Sequence, residues 1–136
     1  MINTTKTAEP IIKPEVHIDE DVKQELLQDI QEEAQVIVHC TLVGTLICKH
    51  IRIWKSTYLV PHNSEHKSEL IHVHNISLFP VWMPISPGKP ADFTLVFSGL
   101  PKDCTEFDLL EIIPESGGFK CLGIKRNKTD IYHIKL

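Results

Sequence analysis

The stretch Phe93-Thr94-Leu95-Val96-Phe97-Ser98 decides the fold class, because its bulkiest apolar residues fall on alternate positions. In an extended chain, successive side chains leave opposite faces of the backbone. Phe93, Leu95 and Phe97 therefore share a face toward a core, and Thr94, Val96 and Ser98 share the other. A helical period would scatter those three large residues around the axis. The segments on either side repeat this texture. Upstream, Pro84-Ile85-Ser86-Pro87-Gly88-Lys89-Pro90 is too rich in proline for a sheet interior and reads as an extended loop. Before it, Ser68–Phe79 reads as a strand stopped by Pro80, and His50–Val60 as a long strand ended by Pro61-His62-Asn63-Ser64. Val36–Val43 reads as another, with Gly44 as a bulge or turn into Thr45–Lys49. Downstream, Asp103 could cap a short helix, but bounding prolines and a β-branched end make Glu106–Ile113 a strand. Ser116-Gly117-Gly118 and Asn127-Lys128 are turn signals around the last two strands.

Short strands punctuated at this spacing, seven or eight over about 100 residues, predict an antiparallel β-sandwich spanning 35–136. An antibody-type domain would set a tryptophan within a Cys…Trp…Cys framework, and neither Trp54 nor Trp82 stands in that relation to the cysteines. Ahead of the sandwich, residues 1–18 carry threonines, Pro10 and Pro14 without apolar periodicity and read as a mobile arm. Asp19 then looks like an N-cap, and Val22, Leu26, Leu27, Ile30 and Ala34 recur at helical steps, predicting one amphipathic helix over 19–34.

The 136 residues are 42% apolar and 24% charged, enough core for one ordinary domain and too apolar for a disordered chain. Residues 1–34 hold three lysines against nine acids, while the remainder holds eleven basic and nine acidic residues. The formal charge of −4 is therefore an acidic arm on a nearly neutral body. Such a body lacks the basic field that drives phosphate-backbone binding, so nucleic acid is disfavoured as a partner. No apolar run is long enough to span a bilayer, and no basic region followed by an apolar one opens the chain. A cytoplasmic location is expected, with Cys40, Cys48, Cys104 and Cys121 reduced; two disulfide bridges in an exported protein are the alternative. Cys40 and Cys48 sit in Val/Leu/Ile-rich stretches, where cysteine acts as a small buried hydrophobe, and Cys104 reads as the most exposed thiol.

Several segments carry a resemblance when taken together: Ile53-Trp54-Lys55-Ser56-Thr57-Tyr58-Leu59, Lys67-Ser68, Asn75-Ile76-Ser77, and Phe97-Ser98-Gly99-Leu100-Pro101-Lys102 with Cys104. Pro114-Glu115-Ser116-Gly117-Gly118-Phe119 and Arg126-Asn127-Lys128-Thr129-Asp130-Ile131-Tyr132 complete the set. Over roughly residues 50–136 the pattern resembles a group of small bacterial proteins thought to be immunoglobulin-like sandwiches. That resemblance implies the immunoglobulin-like form of the sandwich and a bacterial cytoplasmic setting. It implies no activity and assigns no residue a role.

Arg52, Trp54 and Tyr58 fall on one face of the expected strand, opposite Ile51, Ile53, Thr57 and Leu59. A guanidinium between aromatic rings can bind a partner by stacking. The same residues also suit a packing role, with Trp54 inside the sandwich and Arg52 covering its rim. His72 and His74, two apart on a strand, project from one face and could share a metal if His62, His66 or Glu69 supplied a third ligand. The bland alternative places the pair on the solvent face or half-buried with backbone partners, and because Leu70, Ile76 and Leu78 would share that face, one histidine could be core-edge.

Cys104 lacks the surroundings of a catalytic thiol, and Glu106, Asp108, Glu111 and Glu115 suit a solvated rim. No G-x-S-x-G, P-loop, G-x-G-x-x-G, H-E-x-x-H or EF-hand pattern occurs, so neither catalysis nor a cofactor is expected. The expectation is a non-enzymatic module binding an unknown protein or peptide, with metal or small-ligand binding at His72 and His74 as the alternative. Thr129–Leu136, as an edge strand, and the loop 84–90 are two further surfaces open to an extended partner.

Overall fold

The alternation at Phe93–Ser98 becomes a strand whose three large residues are all buried. The computed structural model describes residues 34–43 and 50–136. Within them lie β1 Val36–Leu42, β2 His50–Ile51, β3 Thr57–Pro61, β4 Ser68–His74, β5 Met83–Pro84, β6 Ala91–Phe97, β7 Glu106–Glu111, β8 Lys120–Lys125 and β9 Ile131–Lys135. No helix occurs among the described residues, so the protein is mainly β there, and no helix long and apolar enough to cross a membrane is present among them. The expected arm at 1–18, the helix at 19–34 up to its last residue, Gly44 and the strand Thr45–Lys49 lie outside the described residues.

Seven strands form one sheet in the order β8-β7-β3-β4-β6-β1-β9, and β2 pairs with β5 in a second, two-stranded sheet. β4 links the two halves of the large sheet. Its first residues pair with β3, Tyr58 lying opposite Glu69, and its last pair with β6, His74 lying opposite Thr94. Side chains from both halves meet in one core, with Val36, Val38 and Cys40 of β1 and Leu59 of β3 packed beside Phe93, Leu95 and Phe97. Phe107 and Leu109 of β7 and Tyr132 of β9 close it, Phe107 meeting Tyr132 edge-on at 5.1 Å.

Three expectations are corrected. The sheet is mixed rather than wholly antiparallel, because β9 runs parallel to β1, Ile37 opposite Ile131 and Thr41 opposite Lys135. The turn before β9 explains this. Asn127 Oδ1 accepts the N–H groups of Thr129 and Asp130, Asp130 adopts a left-handed φ of 55°, and Arg126 grips its carboxylate through Nε and NH2 at 2.8 and 2.9 Å. The chain is thereby turned away from β8 and carried across to β1, where β9 becomes an edge with no other strand partner among the described residues.

The expected long strand His50–Val60 is broken. Trp54 gives its N–H to Glu111 Oε2 at 2.8 Å, and the Thr57 hydroxyl donates back to Trp54 O at 2.6 Å, so side chains take the backbone groups a ladder would use. Cys104, expected to be the most exposed thiol, is 3% exposed, with Sγ directed at Glu106 O. Cys40 is buried as expected, and burial, with Cys121 nearby, pushes its thiol up to about 12. Cys40, Cys104 and Cys121 are all free.

Candidate partner-binding cleft

Residues 50–54 keep the alternation even without a continuous ladder: Ile51 and Ile53 are buried, which turns Arg52 and Trp54 the other way. Ile53 is fixed by its N–H to Ser77 O and by accepting the N–H of Phe79, both at 2.8 Å. The turn that follows is closed by Val81 N–H to Leu78 O and by Ser77 Oγ to Val81 O. Held this way, Phe79, Val81 and Trp82 are 42%, 62% and 54% exposed.

Arg52 organises these rings. Its guanidinium carbon lies 3.8 Å from the Trp82 ring centre and 4.5 Å from that of Phe79, and Phe79 stacks on Trp54 at 3.8 Å. NH1 donates to Pro80 O at 3.1 Å and NH2 to Glu115 Oε1 at 3.3 Å. The Arg52 side chain is 12% exposed and Glu115 is 54% exposed, so the stacking outweighs the ion pair. A desolvated cation–π contact contributes up to about 2 kcal/mol, an exposed pair only about 0.2–1 kcal/mol.

Glu111, at the end of β7, builds the opposite wall. Its two carboxylate oxygens accept the N–H groups of Trp54 and Phe119 at 2.8 and 2.9 Å, tying the 112–119 loop to the aromatic segment. Gly118 permits that approach, since a Cβ there would stand 2.5 Å from the Glu111 carbonyl oxygen. Between the walls lies a cleft of about 260 Å³, floored by Leu42 and Ile51 and flanked by Trp54, Trp82, Phe119 and His50.

Arg52 and Trp54 thus line one site, but Tyr58 does not. The break before β3 carries Tyr58 to a separate hollow with Lys55, Glu69 and Ile71, where Lys67 Nζ lies 5.4 Å from its ring centre. Phe79, Trp82, Glu111 and Glu115 were not singled out as partners of Arg52 in the sequence. The available signal was the aromatic run Phe79-Pro80-Val81-Trp82-Met83-Pro84, which is rich in large apolar residues for a loop bounded by prolines.

His72 and His74 both project outward from β4, and they do not share a face with Leu70. A register shift between Leu70 and His72 places Leu70 opposite Phe97 and Val73 opposite Leu95, so the apolar side changes parity at the bulge. His74 lies opposite Thr94, Thr94 opposite His39, and His39 opposite His133, giving one row across β4, β6, β1 and β9. His39 Nδ1 shares a hydrogen bond with Thr94 Oγ1 at 2.8 Å, and the His39 and His133 rings stack at 4.8 Å.

The histidines suggested as third ligands are engaged elsewhere. His66 Nε2 contacts Ser68 Oγ and Gly99 O, and His62 Nε2 contacts Asp108 Oδ1 at 2.7 Å. That bond to Asp108 raises the His62 pKa. Burial pushes the Asp108 carboxyl up, but the N–H of Gly123 and the bond from His62 outweigh it and hold it below its usual range. Among the described residues no three His, Cys, Asp or Glu side chains are grouped to hold a metal ion. Comparison of the chain with family models, curated proteins and solved structures returned no match.

Proposed function

We propose that the chain is a non-enzymatic, cytoplasmic module that binds a protein or peptide through the Arg52–Trp82 cleft. One observation carries this reading: four side chains, Trp54, Phe79, Arg52 and Trp82, form a continuous stack that leaves Phe79 and Trp82 open to solvent. Fixed aromatic and arginine side chains lose little conformational entropy on binding and dominate interface energetics. An immunoglobulin-like sandwich is the scaffold we assign. It is supported by the division of the sheet at β4 into β3-β7-β8 and β6-β1-β9 portions facing one core.

The test is affinity capture from the native cell with wild-type protein and a Phe79→Ala/Trp82→Ala variant shown by circular dichroism to be folded at the capture temperature. A partner held by the wild type and lost by the variant supports the reading. Equal retention by both overturns it.

A second reading is small-ligand or metal binding: His39, His74 and His133 line one hollow with Asn75 and Asp92, although no three of these side chains are grouped to hold a metal ion. Calorimetric titration with Zn²⁺, Ni²⁺ and Cu²⁺ tests it, with His39→Gln/His133→Gln and His72→Gln/His74→Gln variants as paired controls. Absence of heat with all three metals removes the metal form of this reading.

A further inference from the structure

We infer that the cleft receives one basic side chain, lysine or arginine, from the partner, a conclusion that rests on the peptide-binding reading above. Size gives the first reason. At about 260 Å³ the cleft is smaller than the roughly 300–1,000 Å³ of pockets that enclose small molecules and cofactors, and it suits a single long side chain.

Charge gives the second. Three formally charged residues line the cleft: Arg52, Glu111 and Glu115. The guanidinium of Arg52 is already matched by Glu115, by Pro80 O and by two aromatic faces. Glu111 receives backbone N–H groups at both oxygens, and no lysine or arginine pairs with it among the described residues. One half-buried carboxylate is therefore left without a cation, beside two tryptophans.

An acidic occupant would bring a third carboxylate against Glu111 and Glu115. A neutral aliphatic occupant would suit Leu42 and Ile51 but would strip water from Glu111 without supplying a counter-charge. A lysine or arginine satisfies both demands, its methylene stem on the apolar floor and its charge against tryptophan and carboxylate. The molecule already holds one such contact, Arg52 on Trp82 at 3.8 Å.

Trp54 and Trp82 are the only two tryptophans of the chain, and both line the cleft, so tryptophan emission, excited where tyrosine does not absorb, reports on this site alone. The experiment titrates full-length protein with four blocked peptides, Gly-Ala-X-Ala-Gly, where X is arginine, lysine, norleucine or glutamate. The arginine and lysine peptides should shift the emission saturably and bind about tenfold more tightly than norleucine, the scale of a desolvated cation–π contact. That margin should shrink in roughly 1 M salt. Trp82→Leu, a change at an exposed turn, should abolish it while leaving circular dichroism unchanged.

Norleucine binding as tightly as lysine, or a margin that salt and Trp82→Leu leave intact, overturns the basic-side-chain inference and leaves the peptide-binding reading standing. No response to any of the four peptides at millimolar concentration overturns both.

Discussion

The turn carrying Phe79 and Trp82 and the outer sheet face carrying His39, His74 and His133 both present ring side chains outward, but they are supported differently. At the turn the rings are locked on one another and on Arg52, and the backbone beneath them is tied to Glu111 through two N–H groups. On the outer face His39 meets a threonine hydroxyl and one neighbouring ring. What separates the two is whether the side chains can keep one arrangement before a partner arrives. A fixed arrangement binds without paying for its own ordering, and the histidine row lacks such anchoring.

The largest expected effect tests that anchoring. Glu111→Ala leaves the N–H groups of Trp54 and Phe119 without acceptors in a partly buried site and should cost about 2–4 kcal/mol in denaturant unfolding. A loss below about 0.5 kcal/mol would show that the cleft is held by packing alone, and the contrast with the outer face would weaken. Next, Arg52→Ala should cost about 1–2 kcal/mol, and Arg52→Lys should recover only part of it, because an ammonium cannot lie flat between two rings. Full recovery by lysine would assign the effect to charge rather than stacking.

On the other surface Thr94→Val removes the hydroxyl shared with His39 and should cost about 0.5–1.5 kcal/mol by the same measurement. A smaller effect, set by pH, belongs to His62 and Asp108. The raised pKa of His62 means that its contribution is fully present below the unfolded histidine value and fades as pH rises through the folded one. The lowered pKa of Asp108 means that its contribution is present above the unfolded carboxyl value and is lost as pH falls through the folded one. The melting-temperature difference between wild type and His62→Ala should therefore be greatest between about pH 4 and 6.5 and should shrink toward alkaline pH. A difference that does not shrink as pH is raised from about 5 to 9 would mean that the charged pair adds nothing. Smallest of all, His72→Ala/His74→Ala should stay within about 0.5 kcal/mol of wild type, since both side chains project into solvent.

How much of this could be read in advance depended on the distance over which each feature is decided. The strands Val36–Leu42, Ala91–Phe97 and Glu106–Glu111 were legible, and so was the edge position of the last strand. The cleft was legible only at Arg52 and Trp54. The side chains that hold those two in place come from positions 79, 82, 111 and 115, and no periodicity links a proline-bounded turn to the end of a strand so far along the chain.

By itself, then, the sequence determined the strands and their buried faces, because period-two alternation of apolar residues is a local property that the pleat turns directly into an inside and an outside. Tertiary structure alone decided where that alternation stops or reverses. The break at Trp54 depends on a carboxylate at position 111, and the outward turn of His72 on a bulge that exists only against β6. The parallel course of β9 depends on a turn locked by Arg126 and Asp130 and on the open side of β1. Each follows from a hydrogen-bond or stacking partner far away in the chain, and such a partner is adjacent only once the core has closed.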